Sequence, residues 1–381
     1  MRVTEKLVAA SLLALMAGCS SWNPFASKDP KVEPAKLVEL KSSIAVRDAW
    51  KYSIGKAGVY AFTPALAGGS LYVVNADGAL ARLDAASGRE TWRIKAGSDI
   101  TSSAGSDGTV VAVGAAKGAV LAFDADGKQL WKAQASSEVL TPPVVSQGVV
   151  VVRSVDNRIV GFDAKTGERK WTVQRATPAL TLRNAPGMVL GGTNVYVAQP
   201  GGKLLALTAA TGVVRWEIVV SEPRGATELE RVSDIAGTPV VFEGEVCAVT
   251  YQGKVGCFDA ATGVPRWNKP LSSDVGVAVD QRFVFAADDQ GAVLAFSRDG
   301  GQSAWKNDAL ARRRLSTPAS FGRSVAVGDY QGYIHFLSRE DGALIGRVST
   351  DGSPIVSAPV VAGSNLIFQT QSGTVTALAV E

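Results

Sequence analysis

The sequence predicts an all-β chain folded as an eight-bladed β-propeller of four-stranded antiparallel blades, and three observations carry the prediction. A motif recurs at about forty residues along most of the chain; each copy holds four β-rich runs divided by turn signals; and a spare strand early in the chain matches one missing from the last copy. Composition agrees. Of 381 residues, 46% are hydrophobic and 19% charged, and 40 glycines against 16 prolines imply many turns without linker or collagen composition. A net charge of +4, from 39 basic and 35 acidic side chains, is too mild to suggest nucleic-acid binding. One histidine, His335, and three cysteines leave little from which to build a His/Cys metal site or a His-dependent nucleophilic triad.

At the amino terminus, Arg2 and Lys6 precede an apolar run of ten, Leu7 to Met16, and the small pair Ala17-Gly18 stands before Cys19. Ten helical residues span only ~15 Å, half of a bilayer core, so the segment reads as an export signal and not as a membrane span. The stretch Leu15-Met16-Ala17-Gly18-Cys19 resembles the lipobox of bacterial lipoproteins. That resemblance implies removal of residues 1–18 and a diacylglyceryl group on the Cys19 thiol. A plain cleavable signal is the alternative. Ser20 after the cysteine implies the periplasmic face of the outer membrane, where several acyl chains anchor a protein stably. Residues 19–43, with Pro24, Pro30 and Pro34 among Ser, Lys, Asp and Glu, read as a flexible tether, and 44–381 as the propeller.

The copy Gly78 to Trp92 shows the elements in order. A strand, Leu80 to Leu83, runs into the turn Asp84-Ala85-Ala86-Ser87-Gly88, where the aspartate accepts backbone N–H groups and the glycine supplies positive φ. A second strand, Trp92-Arg93-Ile94-Lys95, starts at the tryptophan and alternates, with one face buried. Further copies end at Trp131, Trp171, Trp216, Trp267 and Trp305; the copy at 332–346 lacks its tryptophan, and an eighth begins at Gly373. Ahead of each pair lies a hairpin opened by Thr63-Pro64, Thr141-Pro142, Ala185-Pro186, Thr238-Pro239, Thr317-Pro318 or Ala358-Pro359; a proline starting a strand suits an innermost edge. Pairing Val46 to Tyr52 with Gly373 to Val380 closes the ring and removes its open edges. Trp50, Trp92, Trp131, Trp171, Trp216, Trp267 and Trp305 are read as structural side chains filling the wedges between blades.

Cys247 and Cys257 flank the turn Tyr251-Gln252-Gly253 symmetrically, which places them across adjacent strands. In an oxidising compartment this reads as a disulfide, with two buried thiols as the alternative. His335, in Tyr333-Ile334-His335-Phe336, reads as packed core; Arg312-Arg313-Arg314 reads as a solvated loop, with an anion patch together with Arg323 as the alternative.

The repeat x-Asp-Ala-x-Thr-Gly-x-x-x-Trp resembles the tryptophan-docking repeat of propellers that bind pyrroloquinoline quinone, a group with both dehydrogenases and non-enzymatic members. Lipobox, proline-containing tether and eight repeats together resemble the propeller lipoprotein family of the outer-membrane β-barrel assembly machinery. Within it, Ala179-Leu180-Thr181-Leu182-Arg183 resembles an exposed Leu-x-Leu-Arg partner motif, and Arg231 to Pro239, around Asp234, resembles an acidic partner loop, with Ala236 where a second acidic residue is common. The resemblance implies a non-enzymatic scaffold of the barrel-assembly (BAM) complex. Its Leu180, Leu182, Arg183 and Asp234 would bind a POTRA domain of the barrel-forming protein BamA, alongside other members of the complex and unfolded outer-membrane proteins, with no cofactor beyond the lipid on Cys19.

Spacing points to the same region. Trp216 to Thr238 spans 22 residues, whereas Trp131 to Thr141 spans 10, so one rim connection has been lengthened. Insertions in repeat proteins gather on the binding face. A quinone-dependent dehydrogenase is the rival reading and needs calcium-ligating carboxylates and a carboxylate base. Aspartates 84, 124, 163 and 259 are already engaged in turns, and no adjacent Cys-Cys pair occurs. A scaffold for another envelope complex is the second alternative.

Overall fold

The computed structural model describes residues 33–182, 186–223 and 225–380. The expected signal segment 1–18 and Cys19, the expected lipid-attachment residue, lie outside them. Eight four-stranded antiparallel sheets follow one another, and each of the first seven is a meander taken in chain order. Blade one holds Ala65–Ala67, Ser70–Val74, Ala79–Asp84 and Glu90–Lys95. The eighth blade combines Val360–Ala362, Asn365–Gln369 and Thr374–Val380 with the early strand Val46–Ser53, paired from Val46↔Val380 to Ser53↔Thr374. Innermost strands of neighbouring blades lie side by side around the axis, and that of blade eight lies beside that of blade one.

Sequence pattern and position in the blade correspond. Second strands such as Val110–Ala115 are buried at every residue, because a neighbouring blade covers each face, and they read as unbroken Val/Ala runs. Outer strands such as Arg169–Gln174 alternate exposed and half-buried residues, having one covered face. These outer strands begin ahead of the tryptophan, which is the third residue of Glu90–Lys95.

Each tryptophan docks on the next blade. The indole N–H of Trp50 donates to Ala85 O at 3.2 Å, that of Trp92 to Ala125 O at 2.8 Å and that of Trp131 to Ala164 O at 2.9 Å, in each case the residue after the turn aspartate. Trp171, Trp216, Trp267 and Trp305 repeat the bond to Ala209, Ala260, Arg298 and Arg339. The turn glycine is required twice over. Gly88 has φ +69°, and a Cβ there would lie 2.4 Å from Trp50 Cδ2. Blade seven has Gly346 in the tryptophan's register position, opposite Phe336. In blade eight the third and outer strands come from opposite ends of the propeller sequence, so no Asp-to-Gly turn joins them and a blade-seven indole would have nothing to dock on. Ile44 fills the place: a Cβ on Gly346 would lie 3.0 Å from Ile44 Cδ1.

Part of the segment expected as tether lies along the propeller. Ala35 N–H donates to Ala311 O at 2.9 Å, Arg347 Nη1 to Val38 O at 3.0 Å and Ser43 N–H to Ile345 O at 2.9 Å, so this stretch follows the outer strand of blade seven, Leu344–Ser349. Beneath it sits a buried polar cluster. Arg312 and Arg314 are exposed, but Arg313 is buried and pairs with Asp329 at 2.6 Å, so the arginine run is neither wholly solvated nor a free anion patch. His335 Nδ1 accepts from Arg347 Nε at 3.3 Å, which leaves Nε2–H to donate to Asp329 Oδ2 at 2.9 Å. Burial pushes the imidazole pKa down despite Asp329, with Arg347 and Arg313 adding to the effect.

Cys247 and Cys257 are directly opposite across adjacent strands and are joined by a 2.02 Å S–S bond. With Glu245 they form a cluster of three side chains able to ligate metal, but both sulfurs are held in the disulfide, leaving one carboxylate.

Candidate partner-binding rim

The connections after blades three and four emerge on one rim, since equivalent connections of adjacent blades share a side. The first runs from Gln174, the last residue of the outer strand of blade three, to Met188, the first of the inner strand of blade four; the second runs from Val219 to Ile235. In the first, Pro178 and Leu180 are exposed, Leu180 at 44%, while Leu182 is half-buried. Arg183 lies outside the described residues.

Asp234 stitches this rim together. It is 2% exposed, and its two carboxylate oxygens accept the Leu182 N–H at 2.6 Å and the Gly201 N–H at 2.8 Å. One side chain thereby ties the Leu180–Leu182 loop, the hairpin turn at Gly201 and its own connection. Charge-assisted bonds of this kind are short and about twice as strong as neutral ones. Asp234 and Leu182 are thus brought together, although their residues are 52 apart in sequence. The carboxylate faces inward, holding the loop that carries Leu180. Ala236 is also buried.

The lengthened second connection makes a single turn with a reciprocal cap. Thr227 Oγ1 accepts the Glu230 N–H at 3.3 Å while Glu230 Oε2 accepts the Thr227 N–H at 3.1 Å. These backbone donors hold the Glu230 carboxyl below its usual range. The turn presents Leu229, 73% exposed.

Behind the first loop lies a pocket of about 130 Å³ lined by Leu140, Arg153, Val155, Leu182, Pro200 and Asp234, among others. Arg153 is 5% exposed; its Nε donates to Asn157 Oδ1 at 3.1 Å and its Nη1 to Pro186 O at 3.4 Å. Neither Arg153 nor Leu229 stood out in the sequence reading. The signal for Arg153 was its place ending the apolar run Val149 to Val152, where a charge must enter the interior. On the axis, a second pocket of about 400 Å³ is lined by Val, Ala, Pro, Thr and Ser side chains from the inner strands, including Val189, Val241 and Val279, and no carboxylate lines it.

No helix among the described residues is long and apolar enough to cross a membrane. The chain matches the family model described as outer membrane protein assembly factor BamB over residues 47–102 and 76–307. It is 44% identical over 373 residues to the outer membrane protein assembly factor BamB of Burkholderia pseudomallei strain K96243, covering 98% of this chain and 97% of that protein. The crystal structure of BamB from Moraxella catarrhalis aligns with a TM-score of 0.80 at 26% identity, over 88% of this chain and 100% of that one. A quinohemoprotein alcohol dehydrogenase from Comamonas testosteroni shares the fold alone, with a TM-score of 0.67 at 14% identity over 88% of this chain and 76% of that one. Lengthened rim, docked tryptophans and near full-length identity lead to one conclusion: the chain belongs to the outer membrane protein assembly factor BamB family.

Proposed function

We propose that the protein is a non-enzymatic scaffold lipoprotein of the outer-membrane β-barrel assembly machinery. In this reading the lipid on Cys19 holds it at the periplasmic face of the outer membrane. The rim after blades three and four binds a POTRA domain of BamA, and through it the rest of the complex, so that outer-membrane proteins can be folded and inserted. The observation that carries the reading is the exposed Leu180 on a loop held from behind by a buried carboxylate. An apolar side chain on a preorganised loop is what a protein–protein anchor needs, because little ordering remains to oppose binding. Leu229 on the capped turn adds a second exposed apolar group on the same rim. Arg183, next in the motif, supplies a fork for a partner carboxylate or carbonyl.

The axial lining supports the non-enzymatic half. A quinone with its calcium needs carboxylate ligands and charged partners, and the axial pocket offers Val, Ala, Pro and hydroxyl groups instead. The residues there do not fit that cofactor.

Copurification from detergent-solubilised membranes tests the reading. The wild type should bring down the barrel-forming protein under mild salt. Replacing Leu180, Leu182 and Arg183 together by Ala should abolish this while the thermal melt moves by no more than a few degrees. A melt lowered by many degrees, or a wild type that captures no barrel-forming protein, would sink it.

A further inference from the structure

Among the described residues two cations are buried, Arg313 and Arg153, and two more, Arg298 and Arg339, are half-buried and ion-paired. Arg313 pairs with Asp329 at 2.6 Å, Arg298 with Glu243 at 2.8 Å and Arg339 with Asp280 at 2.7 Å. Arg153 does not. Among the described residues no carboxylate comes within ion-pair distance of it, and its contacts are the Asn157 amide oxygen and a long bond to the Pro186 carbonyl. Asp234 lines the same pocket, but both of its oxygens already accept backbone N–H groups. Burial pushes the Arg153 guanidinium down to about 10 against the opposing pull of the Asp234 and Asp156 carboxylates, which act on it from beyond contact, so it remains charged at neutral pH.

A buried, unpaired charge is costly unless something compensates it. The other buried guanidinium, Arg313, has a carboxylate in contact, whereas Arg153 has none and faces an open pocket, where it can receive an anion. Pro200 and Pro186 wall the pocket without contributing any N–H, Leu140, Val155 and Leu182 add apolar wall, and Thr141, Ser154, Thr181 and Asp234 bring polar groups; removal from bulk water strengthens an ion pair there. At about 130 Å³ it has room for several waters or one short acidic side chain.

Leu182 lines the pocket and also belongs to the loop that presents Leu180, so the pocket is continuous with the partner-binding rim. We propose that Arg153 is a specificity-determining residue: its pocket receives one Asp or Glu side chain of the partner protein, whose carboxylate pairs with the guanidinium when the partner seats against the Leu180–Leu182 loop. This rests on the assembly reading above and deepens it. Apolar contact at Leu180 supplies the anchor, and the Arg153 pair selects the register in which the partner sits.

The test is a double-mutant cycle. Full-length lipidated protein in detergent is titrated with the detergent-solubilised barrel-forming protein. Arg153→Met and Arg153→Lys are each combined with neutralising substitutions, Asp→Asn or Glu→Gln, at the acidic residues of the partner's periplasmic domains. Arg153→Met should weaken binding by about 30-fold or more, the usual loss for truncating one side of a desolvated, hydrogen-bonded charge pair, and Arg153→Lys by less. One partner substitution should weaken binding to a similar degree and add nothing in the Arg153→Met background. Should Arg153→Met fail to fold, Arg153→Gln, which retains a donor for Asn157, takes its place. Binding within twofold of wild type for the folded variant overturns the proposal, and so does strict additivity with every partner substitution, which marks Arg153 as a prop for the loop. If the wild type itself does not bind, the assembly reading falls and this proposal with it.

Discussion

Replacing Gly301 by Ala tests the docking account of the blade seams. Gly301 has φ +68°, and a Cβ there would lie 2.4 Å from Trp267 Cε3 and 2.6 Å from Cδ2. Three effects add. Forcing a β-carbon into left-handed backbone costs about 1–2 kcal/mol. Pushing the indole aside in a packed seam, where Trp267 is 7% exposed, costs about 1–3 kcal/mol. Displacing its N–H from the Arg298 carbonyl forfeits about 1 kcal/mol. The sum is about 3–6 kcal/mol. Gly322→Ala is the internal control, since Gly322 has φ +59° but nothing within 4 Å of its built Cβ. It should lose only the backbone part, about 1–2 kcal/mol. Any entropic gain from alanine in the unfolded chain is common to both variants and cancels in the comparison. Guanidinium melts followed by far-UV circular dichroism provide the difference, expected at about 2 kcal/mol or more. Equal destabilisation of the two variants would show that the indole does not need the glycine's empty face.

Asp234→Asn should destabilise by about 2 kcal/mol and weaken partner capture, because an amide keeps one acceptor and turns N–H groups toward the Leu182 or Gly201 donor; unchanged hydrogen-exchange protection at Leu182 would refute this. His335 should make stability depend on pH. Its folded pKa lies below 6.5, so the unfolded chain takes up the proton first: stability is full above about pH 6.5 and declines as pH falls toward the folded value, by at most ~1.4 kcal/mol per unit. As the chain's one histidine, it makes His335→Gln a clean comparison, and a variant that keeps the same slope between pH 6.5 and 5 would assign the effect elsewhere.

Much of the fold was legible because its determinants are local. The Asp-to-Gly turns, the proline-opened inner strands and the alternating outer strands are each written within a few residues, and repetition made them readable as blades. The rim was legible too: the long interval between Trp216 and Thr238 and the Leu180–Leu182 motif both fall where the structure places exposed loops. What stayed hidden depends on distant chain segments meeting. In sequence Gly346 marks a missing tryptophan; in the fold Ile44 packs against it, and the missing dock follows from ring closure.

The sequence by itself determined the number of blades, their internal order and the rim that varies, because turn chemistry and period-two burial act over a handful of residues. Only the tertiary structure decided that Asp234 faces inward to hold the Leu182 backbone, that Arg313 is paired while Arg153 is not, and that residues 35–43 lie along blade seven. Those outcomes are set by which charges and donors converge across tens or hundreds of residues, and desolvation makes each convergence decisive: a carboxylate or guanidinium removed from water takes its role from the partner it meets there.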